Sequence, residues 1–395
     1  MKWTIIFITL LGLIACNNQT GNKQTVSGNN DTTNAVNAEK EIASLDSNNT
    51  DDSQTVSADD DSTNTFEPVQ YSDEELIALL DSIGHLNPNS WTEELASIVD
   101  TVLNSPIQLN KQLSPKDFKE LKATLKDSGK NTAIDLDLAK RIFPQLEIDS
   151  SLAADAASME NKLPINFHTF DKNTNDFNEF AISIGPDERV TSDNDVYFFK
   201  SDKIIAKHEI SHFYGFHLKH FKNEINETVI YYRVNYERGT GILWDQFNFY
   251  RYDTDKLLPT LTEIRHIWLD YFWSSRPYRI KSNILSTKPL KLKFVFNNQF
   301  TDSSENQIDF INDSTVIKYK FNTIKKIYEP EFTDTKLNKL KLLTYFHADN
   351  NLLFVNANYD LLKKELSGND QARRQAIMNY LLRLKNRLNR RKHGK

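Results

Sequence analysis

The sequence predicts an α+β fold: a helical N-terminal part, then a large antiparallel β-meander region, closed by a C-terminal helix. Three observations carry this. From Phe66 to about residue 160, apolar residues recur at helical spacing behind capping residues. Near Leu163 the chain changes to short runs rich in Ile, Val, Phe and Tyr, separated by polar clusters, which is the pattern of strands and turns. From about Asp370 to Arg390, Ile377, Leu381, Leu384 and Leu388 recur at heptad-like spacing among arginines. The expected organisation is therefore a leader over 1–15, a tether over 16–65, a helical region over 66–160 and a β-rich region with the last helix over 161–395.

The leader begins with Lys2 and an apolar run from Trp3 to Ile14, too short for a stable membrane span. It ends in Leu13-Ile14-Ala15-Cys16, and Cys16 is the only cysteine of the chain. This run resembles the lipobox of bacterial lipoproteins. The resemblance covers the first 16 residues and implies cleavage before Cys16 and acylation of its thiol. A single acyl chain holds a protein only marginally, whereas two or three make attachment durable. The implied partner is the membrane, reached through the N-terminal lipid, and the implied location is the bacterial cell envelope. Asn17 stands where many sorting systems read an aspartate as inner-membrane retention, which favours the outer membrane. The body resembles uncharacterised envelope lipoproteins, a resemblance that carries no activity.

From Asn17 to Thr65 the residues are largely Asn, Thr, Ser, Asp, Gln and Gly, with acidic runs such as Asp59-Asp60-Asp61. Such a segment buries too little apolar surface to offset the entropy of ordering, so it reads as a disordered tether.

In the helical region, Ser72 and Glu75 have capping-box spacing ahead of Leu76, Leu79, Leu80 and Ile83. A second helix is expected from Ser90 to Leu103. A third follows Ser114-Pro115 through Phe118, Leu121 and Leu125, and a fourth covers Asp135 to Phe143. Strands are expected over Ala181–Ile184, Val196–Phe199, Ile204–Ile210, Val229–Val234, Leu243–Tyr252, Leu290–Phe296, Thr315–Phe321, Leu342–Phe346 and Leu352–Val355. Lys200-Ser201-Asp202-Lys203 and Ala348-Asp349-Asn350-Asn351 read as hairpin turns.

One motif has a chemical pedigree. His208-Glu209-Ile210-Ser211-His212 fits H-E-x-x-H and resembles the zinc-peptidase signature. On a helix, His208 and His212 would share a zinc and Glu209 would activate its water. On a strand, four residues span roughly 13 Å, too far for two Zn–N bonds of about 2.1 Å without a sharp bend. The flanking residues alternate with period two, with Ile204, Ala206, His208, Ile210 and His212 on one face and Lys207, Glu209 and Ser211 on the other. That places the motif on a strand with no catalytic residue and no metal, the alternative being a zinc-dependent metallopeptidase.

Asp171-Lys172-Asn173-Thr174-Asn175 opens like a calcium loop. Asp176 stands where the glycine is needed and Ile182 where the glutamate is needed, so it reads as a polar turn. The aromatic residues from Trp244 to Tyr252 and Trp268, Tyr271, Trp273 and Tyr278 read either as core or as the floor of a carbohydrate or peptide groove. The basic face of the last helix reads as solvated or as a contact for anionic lipid or polysaccharide.

Composition bounds the rest. With 395 residues, 39% of them hydrophobic, the chain is long enough for a substantial core. One cysteine leaves no disulfide to form. A net charge of -6 argues against nucleic acid as a partner. The expected function is a noncatalytic binding or structural envelope lipoprotein, without a cofactor, whose possible partners are an envelope protein or a polysaccharide.

Overall fold

A computed structural model describes residues 72–83, 106–126, 131–185, 191–213, 217–239, 241–270, 274, 276–301, 306–347 and 351–393. All belong to one compact unit, Val69–Lys395. Cys16, the leader, the tether and the helix expected over Ser90–Leu103 lie outside the described residues.

The fold is α+β with two antiparallel sheets. The smaller has six strands in the order β1-β6-β5-β4-β3-β2: β1 (Ile107–Gln112), β2 (Asn131–Asp135), β3 (Lys162–Thr169), β4 (Glu179–Ile184), β5 (Thr191–Lys200) and β6 (Lys203–Phe213). The Lys200–Lys203 turn joins β5 to β6 as expected, with Ser201 at positive φ. Helices α2 (Pro115–Lys126), α3 (Leu136–Ile142) and α4 (Ser150–Ser158) cover one face of this sheet. Leu121, Leu125, Ile142 and Phe143 meet Leu163, Phe180, Ile182, Tyr197 and Phe199 there. The helix starts are local: Ser114 Oγ accepts from the Asp117 amide at 3.1 Å, and Asp135 Oδ1 accepts from the Asp137 and Leu138 amides at 3.0 Å each.

The larger sheet is a meander of eight strands in chain order: β7 (Lys219–Lys222), β8 (Thr228–Gly239), β9 (Ile242–Asp253), β10 (Lys256–Leu269), β11 (Tyr278–Thr287), β12 (Leu290–Thr301), β13 (Gln307–Asn322) and β14 (Ile327–Glu331). It rolls up until its far strands approach one another. The Phe221 and Tyr328 rings stand 6.3 Å apart, Tyr328 Oη donates to Glu224 at 3.3 Å, and Thr260 Oγ1 donates to the Lys326 carbonyl at 3.1 Å. Its concave side holds a core of Phe249, Ile264, Ile280, Leu292, Phe294, Ile317 and Tyr319. On its convex side, Ile230, Tyr232, Tyr250, Tyr252 and Leu257 pack against Val196, Phe198, Ala206 and Ile210 of the smaller sheet.

Four helices complete the chain: α5 (Lys339–Phe346), α6 (Asn351–Ala357), α7 (Tyr359–Leu366) and α8 (Gln371–His393). The first helix, α1 (Asp73–Ile83), joins them, burying Leu76, Leu79, Leu80 and Ile83 against Phe354, Leu362, Ile377 and Leu381. Its capping box is reciprocal: the Ser72 amide donates to Glu75 Oε2 at 2.8 Å and the Glu75 amide to Ser72 Oγ at 3.2 Å.

Several expectations are corrected. Leu342–Phe346 and Leu352–Val355 are helical, because short runs such as Leu342-Leu343 and Leu353-Phe354-Val355 satisfy a buried helix as well as a strand. Asn338 supplies the missing signal, its Oδ1 accepting from the Lys341 amide at 2.8 Å. The chain therefore ends in four helices rather than one. The region over 66–160 is not purely helical either. It contributes β1 and β2, one at each edge of the smaller sheet, where they pair with β6 and β3.

Candidate functional site

The H-E-x-x-H run lies entirely in β6, where His208 stands opposite Val196, Glu209 opposite Asp195 and His212 opposite Ser192. A bulge at Ile205 modifies the expected alternation, so Ile204 faces the helices while Ile205, Ala206 and Ile210 all face the larger sheet. His208 points the same way. Its Nδ1 is 2.5 Å from the Tyr232 hydroxyl, and its ring meets Tyr232 and Tyr250 edge-on at 5.7 and 5.9 Å. Burial lowers its pKa to about 4, so the imidazole is neutral at neutral pH. Glu209 is exposed. Beside it, Lys207 turns to the helical face, where its Nζ meets Asp195 Oδ2 at 2.8 Å and the Gln145 carbonyl at 2.7 Å. The extended backbone separates His208 from His212 by roughly 13 Å, and among the described residues no group of three or more His, Cys, Asp or Glu is placed to hold a metal ion.

The other sequence candidates resolve as structure. Asp171 caps the start of β4, its Oδ2 accepting from the Asn178 and Glu179 amides at 2.6 and 3.3 Å. Phe170 and Phe177, either side of that turn, fall in different cores. Phe249 stacks on Tyr231 and Phe247 meets the same ring edge-on inside the larger sheet, and Tyr250 and Tyr252 pack between the sheets, so these aromatics are core. Trp268 lies 5.1 Å from the Arg279 guanidinium, whereas Tyr271 and Trp273 lie outside the described residues. Part of the basic stripe of α8 is engaged internally: Arg373 pairs with Glu365 at 2.9 Å, Arg374 pairs with Asp73, and Arg383 donates to the Thr301 carbonyl at 3.0 Å.

A cavity of about 320 Å³ opens where β12 and β13 meet the segment after β14, α5 and α7. Its floor is apolar, formed by Phe296, Ile311, Leu337, Tyr345 and Leu361. Its rim carries Lys336, Lys341 and Asp313. Lys336 donates to Asp313 at 2.5 Å, and this hydrogen bond holds the Asp313 carboxyl below the usual range. Among the described residues, Lys341 Nζ reaches a backbone carbonyl, that of Lys336, at 3.4 Å and no carboxylate, so the described rim carries one cation more than it has anions.

Behind the floor, Tyr345 is fixed from two sides. Tyr278 Oη donates to its carbonyl at 3.0 Å, and Asn298 Nδ2 donates to its hydroxyl at 2.6 Å. Asn298 Oδ1 in turn accepts from Arg276 at 2.7 Å, and that guanidinium lies 4.2 Å from the Phe354 ring. One lining group stands out. Asn358 is 4% exposed; its Nδ2 donates to the Phe354 carbonyl at 3.1 Å while its Oδ1 is buried with no hydrogen-bond partner among the described residues. Such an acceptor costs free energy unless something donates to it.

The described lining contains no histidine, cysteine, serine or glutamate, and its two threonine hydroxyls donate to backbone carbonyls of Leu337 and Lys341. An apolar floor beside lysine donors and one buried acceptor can accommodate a small, partly apolar molecule that presents an anion or acceptor to the rim and a donor to Asn358. Sequence reasoning missed the site because Thr344 and Tyr345 lie in a segment expected as a strand and Leu361 in a helix that was not expected. Comparison of the chain with protein-family models, with curated proteins and with solved structures finds no match.

Proposed function

We propose that the protein is a lipid-anchored protein of the bacterial cell envelope, attached through Cys16 and directed to the outer membrane. Its folded body is a noncatalytic binding module whose ligand site is the cavity beneath α5 and α7. The observation that carries this reading is the cavity's lining: an apolar floor beside Lys341, whose ammonium meets a backbone carbonyl but no carboxylate among the described residues, and a buried Asn358 amide oxygen with no hydrogen-bond partner among them. The strand geometry of His208 to His212 supports binding over peptidase chemistry, since Glu209 does not share a face with His208.

The test is titration of the protein with 1-anilinonaphthalene-8-sulfonate, an apolar anion suited to such a site. Saturable binding at one site per chain is expected, weakened about tenfold or more, which is at least about 1.4 kcal/mol, by Leu361→Trp, which fills the floor, and by Lys341→Glu, which reverses the rim charge. Binding that neither variant alters would place the ligand elsewhere. Stoichiometric zinc lost in His212→Ala, with peptide cleavage lost in Glu209→Gln, would replace the whole reading with a metallopeptidase.

A further inference from the structure

The smaller sheet covers the convex face of the larger one only across β8 to β10. Beyond it, no described element covers the convex faces of β11, β12 and β13. Inward residues such as Ile280, Ser282, Leu292, Phe294, Ile317 and Tyr319 are buried, while their alternating neighbours Arg279, Lys281, Lys293, Lys318 and Lys320 are exposed and Lys291 is half-buried. β11 and β12 carry Arg279, Lys281, Lys291 and Lys293 and no acid at all, in a chain whose acids outnumber its bases by 54 to 48. The cross-strand register gathers these charges: Lys291 lies directly opposite Lys318, Asn283 opposite Lys293, and Lys281 opposite Val295. Like charges directly opposite one another destabilise a sheet. Glu331 offsets Lys318 at 3.1 Å, but Lys281, Lys291 and Lys293 have no ion pair among the described residues.

The same patch exposes aliphatic side chains, with Val295 47%, Val316 44% and Leu285 55% exposed. Val316 stands opposite Lys293, beside the Val295–Ser314 pair. Lysines alone would suit any polyanion. Lysines interleaved with exposed valine and leucine suit the boundary between anionic headgroups and acyl chains, where cations stay at the phosphates and aliphatic groups enter.

We propose that the convex β11–β13 face is a second membrane contact, one that lays the folded body against anionic phospholipid. It complements the proposed Cys16 anchor and is tested without it. The probe is the full chain carrying Cys16→Ser, mixed with vesicles of phosphatidylglycerol and phosphatidylcholine. Sedimentation with the vesicles at low salt, lost at high salt, is expected. Each lysine near an anionic surface contributes about fivefold, so Lys281→Gln/Lys291→Gln/Lys293→Gln should weaken binding on the order of a hundredfold, while Lys385→Gln/Arg387→Gln on α8 leaves it nearly unchanged.

Because Cys16 is the only native cysteine, Val295→Cys in the Cys16→Ser chain accepts a single environment-sensitive fluorophore. Its emission should shift to the blue on vesicles, a readout that survives if the triple variant folds poorly. No binding at low salt, binding that the α8 variant abolishes and the sheet variant does not, or a label at 295 that stays aqueous in the bound state would each overturn the proposal. Equal retention by an immobilised polysulfate and none by vesicles would overturn it in favour of a polysaccharide. None of these outcomes bears on whether Cys16 is acylated.

Discussion

The hydroxyl of Tyr319 donates to Glu263 Oε2 at 2.7 Å inside the rolled larger sheet, joining β13 to β10 through the core rather than along the ladder. Glu263 Oε1 accepts from the Ile264 amide at 2.8 Å. These two bonds do not compensate for removal from water, and burial raises the carboxyl pKa to about 7. The folded protein therefore holds this proton at a pH where the unfolded chain releases it.

The sign of the pH dependence follows. A folded pKa raised above the unfolded one gives a stability contribution present in full below about pH 4.5 and lost as pH rises through 7, on the order of 3 kcal/mol. Glu263→Gln removes the titration. In urea denaturation its stability relative to the native chain should improve between pH 4.5 and 8. A difference that stays flat over that range would show that Glu263 ionises normally.

His208 works in the opposite direction. Its folded pKa of about 4 lies below the ordinary 6.5, so its contribution is present above pH 6.5 and lost as pH falls towards 4, on the order of 3 kcal/mol. His208→Gln keeps a polar group near Tyr232 but cannot take up a proton. It should denature less readily than the native chain at pH 4.5 relative to their order at pH 7.5. An imidazole that titrates near 6.5 by NMR would contradict the buried position.

How much of this was legible in the sequence depends on residue chemistry. Where a cap and an apolar stripe coincide, as at Ser72 with Leu76 and Leu80 or at Ser114 with Leu121 and Leu125, the helix forms where expected. Strands of the larger sheet follow from alternation because one face is core and the other is water, as in β12. The misses are segments whose surroundings override local pattern. Leu352 to Val355 becomes a helix because Phe354 and Val355 are buried against Phe300, Phe310 and Tyr380. β1 is mostly exposed and takes its conformation from pairing with β6. The cavity was invisible because Phe296, Lys341 and Asn358 meet only after the meander has rolled up.

The anchor makes a separate prediction. If Cys16 is acylated, the native protein should partition into the detergent phase on cloud-point separation, and Cys16→Ser should move to the aqueous phase. Metabolic labelling with palmitate should disappear with the same substitution. A serine variant that remains fully detergent-associated, with its N-terminus cut at the same bond, would refute the lipoprotein reading.

The pair Lys207–Asp195 allows the sharpest test of how the smaller sheet is held. Both side chains are largely buried at the helical face, 2.8 Å apart, and Lys207 also donates to the Gln145 carbonyl in the segment between α3 and α4. Burial pushes the Asp195 carboxyl above its usual range, and the lysine hydrogen bond only partly offsets it. Replacing one partner strands the other charge, so Lys207→Met should cost about 3–5 kcal/mol. Asp195→Leu should cost less, because Lys207 keeps the Gln145 carbonyl and its place 5.7 Å from the Tyr197 ring. The double variant, apolar on both strands, should recover most of the loss, since a buried pair exchanged for packed hydrophobic groups is often neutral. Denaturant unfolding of the four proteins closes the cycle. Losses that simply add would mean that the two groups do not interact in the folded protein.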